Sequence, residues 1–393
     1  MRQIEFKEII FLSNYFNHHQ KPVSDELYKR LKNKYLFIET AQMTDDRKKL
    51  GWGVEEYPPY VITSNEFYGK EAFYKEQIDK AEVVIIGSAP EEYIKNRIQK
   101  NKLVLKYSER MLKKGLKICK YPIRFIRWQK ANPYNKNIYM LCASAYTCGD
   151  FAIYGVLLGR CFKWGYFPET KKYDIEKLLE LKKQNSKVSI LWTARLIDWK
   201  HPEIAIEIAE RLKNDGYSFE LNMIGTGEYE SMAKQWISEK DLSKNVNLLG
   251  AMSPESVRNY MEKADIFLFT SDFNEGWGAV LNESMNSACA VVASHAIGAA
   301  PYLIEDGING LLYKNGDIDG LYQRVVKLIK NPLLRENLGR EAYFTMINTW
   351  NAENAAKRLL TLKDALINKK NTELFAEGPC SKANILLNGW YKK

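Results

Sequence analysis

Cysteine and histidine are too scarce and too scattered in this chain to build a metal centre or a disulfide framework. The six cysteines, Cys119, Cys142, Cys148, Cys161, Cys289 and Cys380, form no Cys-x-x-Cys pair, and no histidine cluster accompanies them. That pattern argues against a zinc site and a disulfide-rich secreted scaffold, and reduced thiols in a cytoplasmic protein are the expectation. Long apolar runs are also missing. No stretch reaches the roughly 18 apolar residues a spanning helix needs. The nearest, Ala288 to Ile304, is interrupted by Ser294, His295, Gly298 and Pro301. The opening MRQIEFKEIIFLSNYF is charged every few residues and has no long apolar run before a small-residue cleavage site, so it is not expected to act as a signal peptide. Internal repeats and low-complexity tracts are absent as well.

What is present is length enough for two cores. A chain of 393 residues exceeds what one compact core usually holds, and 46% apolar content can fill two. Short β-rich runs alternate with helical stretches. Strands are expected at Ile9–Leu12, Tyr35–Glu39, Val83–Gly87, Leu103–Lys106 and Tyr139–Ala143. A second series falls at Val188–Ala194, Phe219–Ile224, Ile266–Thr270, Ala290–Ala293 and Leu311–Tyr313, with helices over Pro202–Asn214, Tyr229–Glu239, Pro254–Ala264 and Ala279–Ala288. Such alternation means parallel sheets covered on both faces, and two series mean two doubly wound, Rossmann-like α/β domains. The charged segment Pro168–Ser186 lacks a core pattern and marks the boundary. The expected division is 1–170, 171–350, and a helix and tail over 351–393, the helix running from Asn351 to about Asn368.

Negative charge is nearly missing from one region. Between Lys95 and Lys136 there are 14 Lys and Arg against one acid, Glu109, a local balance of +13 in a chain of net charge +10. Within it, Arg110, Lys113, Lys114, Lys117 and Lys120 recur at helical spacing, with Met111, Leu112, Leu116 and Cys119 on another face, and Pro122 is expected to break the helix. A basic amphipathic helix of this kind can lie on an anionic membrane surface, and it can equally be a solvated face. Nucleic acid is not the expected partner, because no recognised binding module or base-stacking platform is present.

The most informative segment is FLFTSDFNEGWGAVLNESMNSACAVVAS, residues 267–294. A buried strand ends near Thr270, Glu275-Gly276-Trp277-Gly278 makes a tight turn, and a helix follows from Ala279. Glycines allow a ligand close to the backbone, and a helix N-terminus with free N–H groups suits a phosphate. Glu275 and Glu283 lie eight residues apart, roughly 12 Å if helical. One carboxylate could hold sugar hydroxyls and the other a ribose diol. Upstream, Arg195 and Lys200 follow a strand end, where two cations could neutralise a diphosphate. Gly225-Thr226-Gly227 ends a further strand.

Arg195 with Lys200, Gly225-Thr226-Gly227, Gly250, Glu275-Gly276-Trp277-Gly278 through Glu283-Ser284-Met285, and the run Glu305–Leu312 resemble the family 4 retaining glycosyltransferases over roughly Val188–Tyr313. The resemblance implies the GT-B fold, two Rossmann-like doubly wound domains facing across a cleft, with the C-terminal helix returning to the N-terminal domain. It implies an enzyme, a hexosyl-type glycosyltransferase of the kind found in bacterial surface-polysaccharide biosynthesis, using a UDP- or GDP-sugar without a metal cofactor. Arg195 and Lys200 would contact the diphosphate, Glu275 the transferred sugar and Glu283 the ribose. Gly225, Gly227, Gly276, Trp277, Gly278 and Ala279 would complete the donor site. The acceptor, a saccharide, would meet the N-terminal domain; the charge of the basic segment 95–136, and not the resemblance, suggests a lipid-linked saccharide and a cytoplasmic protein that can lie peripherally on the membrane. Domain closure would exclude water.

The N-terminal half departs from the family pattern. Where members often carry a Gly-rich loop, this chain has Ser13-Asn14-Tyr15-Phe16-Asn17-His18-His19-Gln20. Asn17, His18 and His19 are the side chains there that could meet a phosphate or acceptor. Where many members have a histidine, the equivalent is Tyr107-Ser108-Glu109-Arg110, which makes Glu109 a further acceptor-side candidate. Phe162–Pro168 occupies the usual interdomain position, implying a hinge or cleft wall. In the donor half, Ala290 and Tyr302 stand where proline and an acid are common. The alternatives are a sugar-nucleotide epimerase or phosphorylase on the same fold, and a non-catalytic membrane-associated scaffold.

Overall fold

The computed structural model describes residues 6–45, 53–54, 56–184 and 186–391. Residues 1–5 of the charged opening, Asn185 in the expected boundary and residues 392–393 of the expected tail lie outside them. The chain divides into two compact units, residues 1–169 with 351–387, and residues 170–350 with 388–393.

The first unit is built on β1 (Ile9–Ser13), β2 (Tyr35–Glu39), β3 (Val61–Ile62), β4 (Val83–Ile86), β5 (Val104–Ser108), β6 (Ile138–Cys142) and β7 (Cys161–Lys163). They pair in parallel in the order β3-β2-β1-β4-β5-β6-β7. Runs such as IIFLS and VVII are buried at every position, as a strand covered on both faces requires. The helix Ala352–Ile367 belongs to this unit, and the Lys363 ammonium lies 3.1 Å from Glu8 and 3.3 Å from Glu82.

Phe162 and Lys163, which open the Phe162–Pro168 segment, form part of the edge strand β7, bonded through the Lys163 N–H to Ser381 O (2.7 Å), so the tail shields the strand edge. Two expectations for this unit need correction. The basic stretch 109–117 forms no helix. The helix runs Tyr121–Ala131, and Pro122 starts it, because the first turn needs no N–H from that residue. Nor is the positive block one surface. Arg97 is buried, donating to Ile78 O and Ala81 O (both 2.7 Å) and Leu103 O (2.9 Å), and Arg110 is buried 3.1 Å from Asp150.

The second unit carries β8 (Val188–Thr193), β9 (Phe219–Ile224), β10 (Val246–Leu248), β11 (Ile266–Phe269), β12 (Ala290–Ser294) and β13 (Leu311–Tyr313), all parallel in the order β10-β9-β8-β11-β12-β13. The charged boundary segment does hold a core pattern. Residues Ile175–Lys183 form a helix capped by Asp174 that buries Leu178 and Leu179 against Tyr343. Its Lys182 is buried too, donating to Met261 O at 3.0 Å. Among the described residues no helix is long and apolar enough to cross a membrane.

Candidate functional site

In each sheet the strand order reverses once, and a doubly wound sheet opens a crevice at the C-terminal ends of its strands where that happens. In the second unit the reversal falls between β8 and β11. The loops leaving those strands carry Arg195 and Lys200 on one side and Asp272 and Glu275 on the other.

These loops are bonded together. Thr270 Oγ1 lies 2.6 Å from Lys200 O and 3.2 Å from His201 O, and accepts a 2.8 Å bond from Trp192 Nε1. The Asp272 N–H donates to Trp199 O at 3.1 Å. Across this seam the Lys200 ammonium pairs with the Glu275 carboxylate, with side chains only 12% and 9% exposed. The ammonium also stands 4.3 Å from the centre of the Trp199 ring. Arg195 is exposed, its guanidinium 5.9 Å from the same ring, and has no carboxylate partner among the described residues.

The turn after Glu275 is fixed by its neighbours. Gly298 N–H donates to Glu275 O (3.3 Å) and Ala299 N–H to Trp277 O (3.0 Å). Gly278 adopts φ 90°, and a Cβ there would stand 2.7 Å from Phe269 Cζ, so only glycine fits. It caps the helix Ala279–Asn286 with no side-chain hydrogen bond and no acid in the first turn. Those first N–H groups therefore face an anion with a partial positive charge. On this helix Glu283 is half-buried. Burial raises its pKa, opposed by Arg258, whose guanidinium is 3.7 Å away.

Other expected residues also have structural work. Trp277 is fully buried, its Nε1 donating to Asn282 Oδ1 at 2.9 Å and its ring near Tyr302 and Trp350, so its side chain packs the core and cannot touch a ligand. Gly225 and Gly227 are small because the backbone of the β8 loop lies against them: added Cβ atoms would stand 1.9 Å from Ala194 O and 2.3 Å from Leu196 O. In the Glu305–Leu312 run, Asn309 Nδ2 donates to Leu303 O (2.9 Å), and Asp306 Oδ1 accepts from Leu312 N–H (2.7 Å). These bonds shape a turn.

The sequence reading missed His201. It sits at φ 53° at the start of the helix Pro202–Asn214, its Nδ1 2.6 Å from Glu203 and its Nε2 3.6 Å from Asp272. Asp272 and then Glu203 push its pKa up to about 9. Burial alone would raise the Asp272 pKa, but the bonds from His201 and Asn274 hold it below the usual range. A raised folded-state pKa stabilises fully below the unfolded value of about 6.5, and that stability is lost as pH climbs through about 9. The melting temperature should fall by about 3 °C between pH 6.5 and 9.5, and His201→Asn should remove that slope. An unchanged slope in the variant would remove His201 as its source.

The first unit reverses between β1 and β4, and a cavity of about 510 Å³ opens there, lined by Asn17, His19, Glu91, Lys106, Glu109 and Tyr166 among others. His19 stacks on Tyr166 with centroids 5.2 Å apart and planes 10° from parallel. Burial and then the neighbouring His18 push its pKa down to about 3, so the ring is neutral and supplies no cation. Asn17 Oδ1 accepts the N–H groups of His19 (3.0 Å) and Gln20 (3.2 Å), which fixes a turn. His18 is not among the lining residues. Glu109 accepts from Tyr166 Oη (2.6 Å) and Lys113 (2.7 Å), while Lys106 bonds Glu91 (2.7 Å).

Residues 175–344 match the family described as glycosyl transferases group 1. The amylovoran biosynthesis glycosyltransferase AmsK of Erwinia amylovora is 36% identical over 144 residues, 35% of each chain. The N-acetylgalactosamine-N,N'-diacetylbacillosaminyl-diphospho-undecaprenol 4-alpha-N-acetylgalactosaminyltransferase of Campylobacter jejuni is 31% identical over 147 residues, 37% of this chain and 39% of that one. The chain thus spans little more than a third of these relatives' length. The crystal structure of Anabaena Alr3699/HepE in complex with UDP superposes with a TM-score of 0.67 at 16% identity, covering 91% of this chain and all of that one. That likeness shows the fold, which is GT-B.

Proposed function

We propose that this chain, whose residues 175–344 match the glycosyl transferases group 1, is a retaining glycosyltransferase that moves a sugar from UDP or GDP onto a saccharide hydroxyl. One observation carries the reading: the Lys200–Glu275 pair lies at the strand-order reversal of the second sheet, beside an uncapped helix start.

Cleaving the bond between sugar and diphosphate leaves positive charge on the ring and negative charge on the departing phosphate. Lys200, Arg195 and the N–H groups at Ala279 offset the negative part, the work a divalent metal does elsewhere. Glu275 accepts from hydroxyls of the transferred sugar, and Glu283 from the ribose diol. His201 and Asp272 hold the two loops in register. The acceptor oxygen bonds the anomeric carbon as the phosphate oxygen leaves, on the same face, and the hydroxyl proton passes to that phosphate. The first unit's cavity, with His19, Glu109 and Tyr166, serves the acceptor. The undecaprenol diphosphate in the Campylobacter relative's name supports a lipid-linked saccharide acceptor at the cytoplasmic membrane face, and the biosynthesis glycosyltransferase in AmsK's name supports a biosynthetic role, which we assign to polysaccharide assembly.

Calorimetry with UDP, GDP and ADP tests the donor side. Glu283→Ala should weaken the preferred nucleotide about tenfold or more, as the loss of a charged hydrogen-bonding partner does, and a chelator should leave transfer unchanged. Binding of none of the three by the wild type would end the proposal.

A further inference from the structure

The helix Tyr121–Ala131 buries no residue fully. Its inner face holds to the unit through Tyr121, whose hydroxyl donates to Ile153 O at 2.9 Å, and through Trp128, whose ring packs edge-on to Phe151 at 5.2 Å. Its outer face carries Ile123 at 74% and Ile126 at 55% exposure, and Ile118, just before the helix, reaches 81%. A solvated helix has no use for three exposed isoleucines in one patch. Around them stand Lys113, Lys114, Lys117, Lys120, Arg124, Arg127 and Lys130, and no acid occurs between Glu109 and Asp150.

We propose that residues 113–130 dock on an anionic lipid bilayer, the isoleucines entering the headgroup–acyl boundary while the lysines and arginines meet lipid phosphates. Charge of a single sign selects an anionic partner, and the exposed side chains between 113 and 130, Leu116, Ile118, Ile123, Phe125 and Ile126, are mostly aliphatic, which suits acyl chains better than stacked bases. Insertion at such helices reaches roughly 5–10 Å, which suits side chains of isoleucine length on one face. Trp128, on the inner face, also lines the 510 Å³ cavity, so a docked surface sets that cavity beside the headgroup layer. The inference is independent of the transfer reaction, since docking needs no substrate.

The chain supplies its own reporter. Cys119 is exposed within the patch, and the other five cysteines are buried. An environment-sensitive maleimide dye on Cys119 should shift to the blue on phosphatidylglycerol vesicles and stay unshifted on phosphatidylcholine alone. In sedimentation, the unlabelled protein should partition onto the anionic vesicles at low salt. The triple variant Ile118→Ser, Ile123→Ser, Ile126→Ser should partition about tenfold less or weaker still, with its melting temperature unchanged because all three side chains are exposed. Lys114→Glu, Lys117→Glu, Lys120→Glu should abolish partition. Failure of the wild type to pellet would overturn the proposal. So would pelleting that the serine variant retains without a dye shift, since that is adsorption by charge alone. Tighter binding to RNA than to vesicles at equal salt would overturn it too.

Discussion

Lys200→Ala is expected to lower kcat for sugar transfer about a thousandfold, the upper range for removing one preorganised group that stabilises transition-state charge. Lys200 is seated within the loop seam, and its ammonium contacts the Glu275 carboxylate while Arg195 stands exposed. In the proposed reaction, removing it withdraws positive charge from the departing phosphate, and it leaves Glu275 without its ionic partner. The second effect costs stability, because a largely buried carboxylate deprived of its cation is poorly solvated. The two effects separate by design. Lys200→Ala with Glu275→Gln should recover the stability that the single variant loses and stay inactive. Steady-state kinetics and thermal melts on both variants decide the matter. Transfer within threefold of wild type in the single variant would remove Lys200 from the chemistry.

The strands of both cores were legible because a strand covered on both faces must be a run of apolar, β-branched residues, as at Val83–Ile86 and Ala290–Ser294. The short strands β3, β7 and β10 were not, since two or three residues carry no period, although β13, just as short, was read at Leu311–Tyr313. The basic stretch misled for a related reason. Lysines at helical spacing fit a helix, but 109–117 offers too little buried apolar surface to hold one, and the helix forms where Tyr121 and Trp128 can pack. In the site, Lys200 and Glu275 could be read because each follows a strand end at a distance a loop can present. The pairing of His201 with Asp272 could not, because it joins two loops whose proximity only the β8–β11 pairing creates. The burial of the Trp277 ring could not be read either, because a tryptophan between glycines shows no periodicity that would assign it to the core.

Gly225→Ala should lower the stability of the second unit by about 3 kcal/mol or more, through steric conflict and strain. The position has φ 140°, a region closed to side chains, and an added Cβ would stand 1.9 Å from Ala194 O and 2.9 Å from its carbonyl carbon. Retreat is blocked on both sides. Gly225 N–H donates to Gly250 O at 2.8 Å, Ala194 N–H to Ile224 O at 3.1 Å, and Leu196 N–H to Thr226 O at 3.0 Å, so moving either strand end breaks a bond. Gly250→Ala is the control, because that glycine has φ 71° with open space where the Cβ would go. It should cost only the torsional part, about 1–2 kcal/mol. Calorimetric melting of the intact chain compares them, and equal losses would show that the close approach of the two loops is not what demands glycine at 225. The same approach fixes where the β8 loop leaves the sheet, and that loop carries Arg195 and Lys200. Any Gly225→Ala protein that still folds should therefore lose transfer beyond what its melting temperature accounts for, because the cations would leave the sheet at the wrong angle.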